Sequence, residues 1–600
     1  MKVLGLSAHF HDASAALIVD GRLVAAVAEE RFSRIRHDAA FPRHAAAFCL
    51  KQAGITAEAL DAVVFYEEPH QKFTRVMATT LGGFPRTLGP FVRAMKGWLS
   101  HKLFVRGGIS RELDVHPDVV HMVPHHLSHA AYAFEASGCD EAAILVVDAV
   151  GEWASTSLGR AKRGQGIEIL ETYDYPNSIG LFYAAMTAFF GFEPNADECT
   201  TMALAAFGKP SRVEDLQAVL RLESDGTYSL DPGYFDFLAD DGRIFTSRFV
   251  RGFGQPANAG LFASLDAMAE TTLSAEQQRY ADLAASVQAL TELAVLGLAR
   301  RLASRVPLPD LCISGGVALN CVANGKLAAE GIFTRVHCPP DPGDGGGSVG
   351  AAILGAQPTL SSPITGLASP YVGAPTDLDA VEATMAHIEN DAWQRVGPGA
   401  PATRNPARVR FERHASDAAL IDDCVRRLSG GEIVGWVQGR GEVGPRALGA
   451  RSLLLDPSRV DRARVMSSAV KRRSSLRPYA LTVAEEHRER VFERPPHAPL
   501  ERWMQTSAPI REAERHGLRA GVHIDGTTRP QVLRRDDNPR FHALLTAFGV
   551  ATGRASALLN TSLNERGEPI AGSALDALAM FARTDMDALV VDELVIWKEW

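Results

Sequence analysis

With 600 residues, the chain is too long for one hydrophobic core, so we expect at least two domains. Its 46% hydrophobic and 22% charged residues are typical of a globular protein, and its formal net charge of −9 argues against nucleic acid as a partner. The seven cysteines form no CxxC pair, which argues against a disulfide scaffold and favours a reducing cytoplasm. Polar residues interrupt the most apolar stretch, residues 285–299, and the N-terminus has no signal-peptide pattern, so we expect no membrane contact.

The first elements along the chain are predicted to be a strand, a polar turn and a hairpin. A buried strand is expected at residues 2–7, and a turn with His11 and Asp12 follows it. The dipeptide DG at residues 20–21 is the signal of a tight turn between two strands. Residues 142–159 repeat the pattern of strand, polar turn and strand, which indicates a duplicated unit. Two such turns are suited to holding a phosphate chain from two sides.

The side chain of His11 has two interpretations. Polar residues in such turns commonly cap a helix or bond a backbone amide within the turn. Because an imidazole titrates near neutrality, His11 is alternatively a general base beside a bound nucleotide. The sequence at this point leaves both open.

Three histidines, His125, His126 and His129, lie at the head of an apolar run. If the run is a helix, His125 and His129 share one face and can bind one metal ion, whereas His126 lies about 100° away and serves structure. Two imidazoles are an incomplete site for zinc or iron, so carboxylates must complete it. Asp148, after a predicted strand, and Asp344, in a glycine-rich loop, are the candidates. Helix capping or packing is the alternative role of the histidine pair.

Glycine-rich turns precede two predicted helices after a long helix at residues 275–305. Gly315, Gly316 and Asn320 follow a short strand, and Asp344 belongs to the second turn. Glycine turns at helix N-termini leave N–H groups available to hold an anion, so these residues are candidates for cradling a nucleotide. Glycines also mark ordinary turns, which is the alternative.

Residues 357–405 are rich in Pro, Ser, Thr, Gly and Ala, and we place a domain boundary at their start, giving domains 1–357 and 358–600. Strands are predicted in the second domain at residues 432–437 and 555–560. Its loops are basic and contain Arg440, Arg446, Arg451, Lys471, Arg473, Arg477 and Arg529, together with Ser562 and Asn564. Guanidinium groups in short loops favour polyanion binding, and a solvated basic surface is the alternative.

A set of motifs spans the chain nearly from end to end. The first half contains GLSAHFHDASAALIVDG, EERFSRIRHDAAFP, HHLSHAA, VVDAVGEW, SGGVALN and GDGGGSVGAA. The second half contains GRGEVGPRALGARSLL, KRRSSLRPYA, DGTTRPQV and LNTSLNERGEPI. In this combination the sequence resembles the family of nodulation protein U and the tobramycin-type O-carbamoyltransferases.

The resemblance implies an α/β fold in two parts. Residues 1–357 are expected to form a duplicated α/β domain of the actin/hexokinase (ASKHA) type, and residues 358–600 a YrdC-like α/β domain. In the YrdC-like fold a Lys-x-Arg pair and a Ser-x-Asn pair hold anions and nucleotide. The matching residues in this chain are Lys471, Arg473, Ser562 and Asn564.

The same resemblance implies an ATP-dependent O-carbamoyltransferase that works in two steps. In the C-terminal domain, carbamoyl phosphate and ATP with Mg²⁺ would form carbamoyl adenylate. In the N-terminal domain, the carbamoyl group would pass to a hydroxyl of a small-molecule natural product. N-carbamoylation, a threonylcarbamoyl-type transfer to tRNA and a non-enzymatic ATP-binding module are the alternatives, and the acidic net charge argues against tRNA. A homodimer is the working hypothesis for the assembly.

Individual residues receive roles from the resemblance. Fe²⁺ or another divalent metal would be bound by His125, His129, Asp148 and Asp344. Nucleotide in the N-terminal domain would be bound by Gly151, Glu152, Gly315, Gly316 and Asn320. Carbamoyl phosphate and ATP in the C-terminal domain would be bound by Arg446, Lys471, Arg473, Arg477, Arg529, Ser562 and Asn564. The catalytic residues would be His11, which deprotonates the acceptor, and Arg36.

The chain departs from the family pattern at three places. Arg36 stands where lysine is usual, and Ala149 follows the metal aspartate where glycine is usual. Residues 200–203 replace a Lys-x-Met-Gly stretch with Thr-Thr-Met-Ala. These changes concern the predicted nucleotide and acceptor contacts and leave the four metal positions intact.

Overall fold

The computed structural model describes residues 1–84, 87–89, 91–92, 95, 98, 102–237, 244–268, 272–357, 363–387, 406–494 and 498–600. They divide into two compact units. Unit 1 contains Met1–Glu29, Asp38–Leu261 and Ser274–Ala368, and unit 2 contains Glu30–His37, Phe262–Leu273 and Ser369–Trp600. Composition alone places one boundary at 357/358, whereas the contact division lies after Ala368 and assigns two earlier segments to unit 2.

Unit 1 is built on two five-stranded sheets of the same topology. Its strands are β1 Lys2–Ser7, β2 Ser14–Val19, β3 Arg22–Ala28, β4 Ala62–Phe65, β5 Val120–Met122, β6 Glu141–Val147, β7 Ala154–Lys162, β8 Gly166–Asp174, β9 Leu220–Leu222, β10 Tyr228–Leu230, β11 Asp310–Ser314 and β12 Arg335–His337. The first sheet has the order β3-β2-β1-β4-β5 and the second β8-β7-β6-β11-β12, while β9 and β10 form a separate ribbon.

Strand directions also repeat between the two sheets. The meander β1-β2-β3 is antiparallel, and β4 and β5 extend the sheet parallel to β1. The meander β6-β7-β8 is likewise antiparallel, and β11 and β12 run parallel to β6. The predicted duplication is therefore confirmed, and the topology is the one expected of the actin/hexokinase type. The first predicted strand is confirmed at its predicted bounds, and residues 20–21 form the hairpin turn with positive φ angles of 48° and 76°.

Helices cover the sheets of unit 1. They are Arg43–Ala53, Pro69–Gly82, Val105–Leu113, His125–Ser137, Ile179–Phe189, Glu198–Ala205, Val213–Leu216, Ser247–Phe253, Ala275–Arg305, Cys321–Ala329 and Asp344–Ala356. The predicted helix at 275–305 is confirmed and begins with a capping box between Ser274 and Gln277. Among the described residues it is the one helix long and apolar enough to cross a membrane, yet 78% of its most apolar window is buried inside the unit.

The glycine-rich helix Asp344–Ala356 lies unusually close to its neighbours. A Cβ atom added to Gly5 would be 1.9 Å from the carbonyl oxygen of Ser348, and one added to Gly350 would be 1.8 Å from that of Ser128. Only glycine permits these approaches. The glycines therefore let this helix contact β1 and the helix His125–Ser137, which sets the position of Asp344.

Unit 2 is a layered α/β structure around one eight-stranded sheet. Its strands are β13 Arg408–Arg413, β14 Val434–Val437, β15 Arg451–Leu455, β16 Ala480–Ala484, β17 Ala508–Pro509, β18 Thr527–Thr528, β19 Pro530–Leu533, β20 Ala557–Ser562, β21 Ala588–Val591 and β22 Leu594–Glu599. The sheet has the order β13-β22-β21-β14-β15-β20-β16-β19, and β17 pairs with β18 separately. Both strands predicted in this half, at 432–437 and 555–560, are confirmed as β14 and β20.

The helices of unit 2 pack on both faces of its sheet. They are Glu30–Ser33, Leu378–His387, Asp417–Ser429, Val460–Val465, Arg488–Val491, Ala498–Glu501, Glu512–Arg515, Pro539–Thr552 and Ala574–Arg583, with a π-helix at Met466–Val470. On β14, Trp436 packs with the helices Asp417–Ser429 and Pro539–Thr552, and Val437 belongs to the cluster that contains the helix Ala574–Arg583. Alternate residues of the strand therefore face different helices.

Two segments from the N-terminal half belong to unit 2. In the first, Arg31 donates to the carbonyl of Gly444 at 2.8 Å, and Arg34 donates to the carbonyls of Pro569 and Ile570 at 2.9 and 2.7 Å. In the second, the amide of residue 267 donates to the carbonyl of residue 475 at 3.0 Å, and the side chain of residue 268 is buried in the core. Unit 2 thus contains chain segments that are distant in sequence.

Candidate functional site

Two histidines lie together at the start of the helix His125–Ser137. Their spacing of four residues places both rings on one face, and the two Nε2 atoms of His125 and His129 are 3.1 Å apart. Both side chains are buried. The helix begins after Pro124 and ends at Gly138, which adopts a left-handed conformation. The predicted shared face of the histidine pair is therefore confirmed.

Asp148 follows the last residue of β6 and faces this pair. Its Oδ2 atom lies 3.1 Å from Nε2 of His125 and 3.9 Å from Nε2 of His129. Its Oδ1 atom accepts the backbone N–H of Gly316 at 2.9 Å. A Cβ atom on Gly316 would lie 2.9 Å from that oxygen, so a glycine is needed here for close contact. Gly316 thus orients Asp148.

Asp344 completes the cluster from the first turn of the helix Asp344–Ala356. Its Oδ1 atom lies 3.6 Å from Nε2 of His125 and 3.5 Å from Nε2 of His129. One ligand atom from each of the four side chains lies within 4.8 Å of all the others, and all four residues are buried. Two imidazoles and two carboxylates are a donor set for zinc, iron or manganese, so these residues fit a divalent metal.

The charges of the cluster are strongly coupled. Burial lowers the pKa of His125, but the carboxylates of Asp344 and Asp148 outweigh that effect and raise it to about 9. Burial raises the pKa of Asp148, but the neighbouring histidines lower it well below its usual range. His126, which burial and His125 hold at a pKa of about 3, contacts Ser157 at 2.7 Å instead and is structural, as predicted. The carboxylates therefore need a positive charge beside them, either imidazolium or a metal ion.

His11 lies next to this cluster in the turn after β1. Its Nε2 atom is 3.7 Å from Oδ2 of Asp344, and its Nδ1 atom is 2.9 Å from Oδ2 of Asp12. Burial lowers the pKa of His11, but Asp344 and Asp12 raise it to about 9. The contact with Asp12 favours the tautomer with its proton on Nδ1, so that Nε2 of the neutral ring faces the cluster as an acceptor.

The predicted nucleotide residues Gly151 and Glu152 lie behind His125. Oε1 of Glu152 accepts the backbone N–H of His125 at 2.9 Å and that of Glu68 at 2.8 Å. A Cβ atom on Gly151 would lie 3.0 Å from the ring of His125. Both residues therefore hold His125 in place, and nucleotide binding by them stays a prediction.

The remaining predicted nucleotide residues follow β11. Gly315 has a φ of 91° and lies against the backbone of Val147, where a Cβ would be 2.3 Å from the carbonyl oxygen. Asn320 caps the helix Cys321–Ala329 by accepting the N–H of Ala323, and its amide bonds to Gln288 at 3.0 Å. Gly315 and Asn320 therefore both have structural roles, and their contact with nucleotide stays a prediction.

Ala149 and residues 200–203 are the two places in unit 1 where the chain departs from the family pattern. The carbonyl oxygen of Ala149 accepts the hydroxyl of Ser178 at 2.6 Å. In the helix Glu198–Ala205, the hydroxyl of Thr201 lies 2.9 Å from that of Thr187 and is buried. Thr201 therefore has a packing role in this chain.

Tyr66 is a site residue that the sequence analysis did not identify. It follows β4, is fully buried, and its ring centroid lies 5.0 Å from that of His125 at 60°. Burial and the charge of Asp344 raise the pKa of its hydroxyl well above the usual range. Its position directly after a strand could have identified it. The parallel strands β1 and β4 end at one edge of their sheet, and β6 and β11 end at one edge of theirs. Ligand residues commonly gather at such edges.

A second group of predicted residues gathers at one edge of the unit 2 sheet. The register pairs Ser452 with Ser562, residue 480 with residue 560, and residue 481 with residue 530. The start of β15, the end of β20 and the starts of β16 and β19 therefore lie side by side. The loops at this edge carry Arg446, Arg473, Arg477, Arg529, Ser562 and Asn564, all of them partly buried.

Lys471 lies among the oxygens at this edge and is 3% exposed. Its Nζ donates to Oδ1 of Asn564 at 2.7 Å and to Oγ of Ser562 at 3.2 Å, and also to both backbone carbonyls of these residues. The hydroxyl of Ser562 donates to Oδ1 of Asn564 at 2.6 Å. The two predicted pairs are thus joined through Lys471. The π-helix Met466–Val470 directly precedes it, a feature frequent at functional sites.

The charge at this edge is positive. Burial, followed by the charges of Arg473 and Arg477, lowers the pKa of Lys471 well below its usual range. Arg473 lies over the ring of Tyr479 at 5.0 Å. The hydrogen-bond partners of the lysine are neutral oxygens, and among its charged neighbours Arg473 and Arg477 have a larger effect than the carboxylate of Glu565. An anion bound here would therefore be stabilised.

Other basic residues in these loops are structural. Arg451, which is 1% exposed, donates to the carbonyls of residues 374, 438, 439 and 450. Arg440 donates to the carbonyls of residues 372 and 373. Glu442 accepts the amides of residues 448, 450 and 451 and so folds the loop that carries Arg446. Polyanion binding by Arg440 and Arg451 is therefore not supported, because backbone carbonyls occupy their donors.

Arg36 belongs to the segment Glu30–His37 of unit 2, whereas His11 belongs to unit 1. Its side chain is partly buried. Its catalytic role stays a prediction.

Comparison with known proteins gives matches over most of the chain. The family model "Carbamoyltransferase N-terminus" matches residues 2–353, and "Carbamoyltransferase C-terminus" matches residues 425–598. "Uncharacterized protein sll1178" of Synechocystis sp. is 37% identical, over 99% of this chain and 96% of its own length. "Nodulation protein NolNO" of Sinorhizobium fredii is 33% identical, over 98% of this chain and 79% of its own length. "3'-hydroxymethylcephem-O-carbamoyltransferase" of Amycolatopsis lactamdurans is 34% identical over 44% of this chain and 45% of its own length.

Proposed function

This chain belongs to the carbamoyltransferase family and is a carbamoyltransferase enzyme, and from that premise we propose that it is an ATP-dependent O-carbamoyltransferase. Water releases carbamate and inorganic phosphate from carbamoyl phosphate, and a carbamate oxygen then attacks the α-phosphorus of ATP and displaces pyrophosphate, which gives carbamoyl adenylate. The carbamoyl group then passes to the hydroxyl of a small molecule. Two observations support the proposal: unit 2 has a buried lysine with arginines beside it at one sheet edge, and unit 1 has a His/Asp cluster that fits a metal ion.

Adenylation is assigned to the Lys471 edge of unit 2. Carbamoyl phosphate and ATP are both polyanions, and their approach to each other is opposed by charge repulsion. Lys471, Arg473 and Arg477 supply positive charge at one place, and guanidinium forks match phosphate oxygens. Preorganised cations of this kind stabilise the charge that develops on the phosphoryl oxygens.

Transfer is assigned to the cluster in unit 1. The acceptor hydroxyl oxygen attacks the carbamoyl carbon of the adenylate, the bond to the phosphate oxygen breaks, and AMP leaves. In its neutral form His11 would accept the hydroxyl proton at Nε2, while Asp12 holds the ring through Nδ1. Asp344 and Asp12, which outweigh burial and raise the pKa of His11 to about 9, favour the imidazolium that results. His125, His129, Asp148 and Asp344 would hold a divalent metal, which supplies Lewis acidity toward phosphate and carbonyl oxygens and offsets the charge of Asp344.

An O-linked product is favoured over the alternatives by the relatives. The name of the cephem enzyme states that it carbamoylates an oxygen of a hydroxymethyl group. On that basis we propose that the acceptor of this chain is also a hydroxyl group. Iron, a cytoplasmic location and a homodimer stay expectations from the sequence.

The first experiment measures pyrophosphate release from ATP and Mg²⁺ by the full chain, with and without carbamoyl phosphate and without an acceptor. We expect release that depends on carbamoyl phosphate. Chelated protein serves as a control, because unit 1 metal is not needed for adenylation. Absence of release from folded protein would contradict the proposed first step and favour the ATP-binding module.

A further inference from the structure

A second cluster of reactive groups lies at the opposite end of the β6-β11 sheet from Asp148. Cys139 precedes β6, Asp310 begins β11, and His337 ends β12. Since β6 contains seven residues, about 20 Å of strand separates Cys139 from Asp148. This cluster therefore takes no part in the metal site.

One nitrogen of His337 faces both the sulfur of Cys139 and the carboxylate of Asp310. Sγ of Cys139 lies 3.5 Å from Nε2 of His337, and this nitrogen lies 2.9 Å from Oδ1 of Asp310. Asp310 is also bound by Arg335, whose Nε and Nη2 donate to it at 2.6 Å. The carboxylate stabilises an imidazolium beside the sulfur, and a cysteine beside such a group is held as thiolate.

The surroundings of Cys139 favour a negative charge on sulfur. Arg163 donates to the carbonyl of Cys139 at 2.8 Å. The charged groups around the sulfur are His337, Asp310, Arg335, Arg163, Glu135 and Asp140, the last two being paired with Arg163. Hydrogen bonds from Cys312, His337 and Ser137 outweigh burial and lower the pKa of the Cys139 thiol to about 5. At neutral pH the sulfur is then a thiolate.

A second cysteine is placed to react with the first. Cys312, in the middle of β11, is fully buried in the hydrophobic cluster against which Cys139 packs. Burial, followed by its contact with Cys139, raises the pKa of Cys312 well above the usual range, so it stays a thiol. Cys139 is partly exposed, so a small oxidant reaches it first.

We propose that Cys139 is an oxidative modification site that reacts with hydroperoxides and is then trapped by Cys312. The thiolate attacks one oxygen of hydrogen peroxide, the O–O bond breaks, and sulfenic acid forms as hydroxide leaves and takes a proton from the His337 imidazolium. His337, now neutral and paired with Cys312 across β11 and β12, takes the Cys312 proton, and the resulting thiolate attacks the sulfur of Cys139. The S–O bond breaks, and the leaving hydroxide takes the proton back from His337 and departs as water. Two thiols are oxidised to a disulfide, and the peroxide is reduced to two waters.

The first test measures iodoacetamide alkylation of the full-length protein between about pH 5 and pH 9, with each cysteine followed by peptide mass spectrometry. Cys199, also partly exposed, is the matched control. We expect the Cys139 rate to level off above about pH 6, and the Cys199 profile recorded in the same samples is the reference for a cysteine outside this cluster. His337→Asn is expected to move the Cys139 profile upward by at least about one pH unit and to leave Cys199 unchanged. A Cys139 profile that coincides with that of Cys199 overturns the proposal.

The second test treats the protein with hydrogen peroxide and the sulfenic-acid probe dimedone. In the unsubstituted protein we expect a Cys139–Cys312 disulfide and little dimedone adduct. In Cys312→Ala we expect a strong dimedone adduct on Cys139, because trapping is removed. Equal dimedone labelling of both proteins, or faster oxidation of Cys199 than of Cys139, contradicts the proposal.

Discussion

The two candidate sites of this chain are electrostatic opposites. In unit 1, buried carboxylates face buried histidines, and the pKa of His125 is raised to about 9. In unit 2, a buried lysine faces neutral oxygens with arginines nearby, and the pKa of Lys471 is lowered well below its usual range. The direction of each pKa shift follows from the surrounding charges: carboxylates favour positive charge in unit 1, whereas burial and the neighbouring arginines disfavour it on Lys471 in unit 2. This contrast accords with the proposal that unit 1 binds a metal ion and unit 2 binds phosphates.

The largest effect is expected from removing the buried charge in unit 2. Lys471→Met should lower carbamoyl-phosphate-dependent pyrophosphate release by about 10²–10³-fold, because a preorganised charge is lost. Lys598→Met is the matched control, since Lys598 is also a buried lysine of unit 2, with a pKa lowered to about 7 by burial, and donates to the carbonyls of Phe581 and Thr584. Equal losses in both variants would mean that Lys471 acts only through stability.

The second-largest effect is expected on metal binding by the His/Asp cluster of unit 1. Asp344→Asn should weaken divalent metal binding by at least about 100-fold, because a ligand charge is removed, and leave pyrophosphate release unchanged. Metal retained after dialysis is measured by elemental analysis. Asp341→Asn is the control, because Asp341 is buried in the same loop and is not among the four clustered residues. Loss of pyrophosphate release in Asp344→Asn would contradict the separation of the two steps.

A smaller effect is expected from Gly316→Ala. The added Cβ would lie 2.9 Å from Oδ1 of Asp148 and push the carboxylate away from His125. We expect metal affinity to fall about 10-fold, as is typical when the support of a ligand is disturbed. Gly252→Ala, where an added Cβ meets nothing within 4 Å, should leave metal affinity unchanged. Unchanged affinity in Gly316→Ala would show that Asp148 does not need this amide.

The smallest expected effect is the release or uptake of protons when a ligand binds to each unit. Metal binding to unit 1 should release up to about one proton near neutral pH, because His125 with its raised pKa must lose a proton to bind. Pyrophosphate bound beside Lys471 should favour the protonated amine, so the proton exchange of the unsubstituted protein, less that of Lys471→Met, should be an uptake. Calorimetry in buffers of different ionisation enthalpy measures both. Exchange of the same sign at the two sites, with the unit 2 value taken as this difference, would refute the comparison.

Much of this arrangement follows from local sequence. The spacing of His125 and His129, the glycine turns and the repeated strand–turn–strand pattern are local signals, and they predicted the metal cluster and the duplicated sheets. The Lys471 edge was predicted through motif resemblance, and the strand register brings its parts together.

Other features depend on contacts that local sequence does not encode. Arg451 and Arg446 look alike in one basic loop, yet Arg451 is buried against backbone carbonyls. Likewise, nothing in residues 30–37 indicates that Arg31 donates to a carbonyl more than four hundred residues away. Long-range hydrogen bonds to backbone atoms carry no residue signature, because every residue offers a carbonyl.

The two early segments of unit 2 bear on how the protein can be divided. A fragment that starts at residue 369 lacks Arg31, Arg34 and Met268. The missing side chain of Met268 would leave a cavity in the core of unit 2. A fragment that stops at residue 368 contains the segments Glu30–His37 and Phe262–Leu273 but lacks residues 369–600, against which they pack. During synthesis these segments also leave the ribosome long before the strands that they join. The two proposed chemical steps are therefore better tested separately by point substitutions than by cutting the chain into fragments.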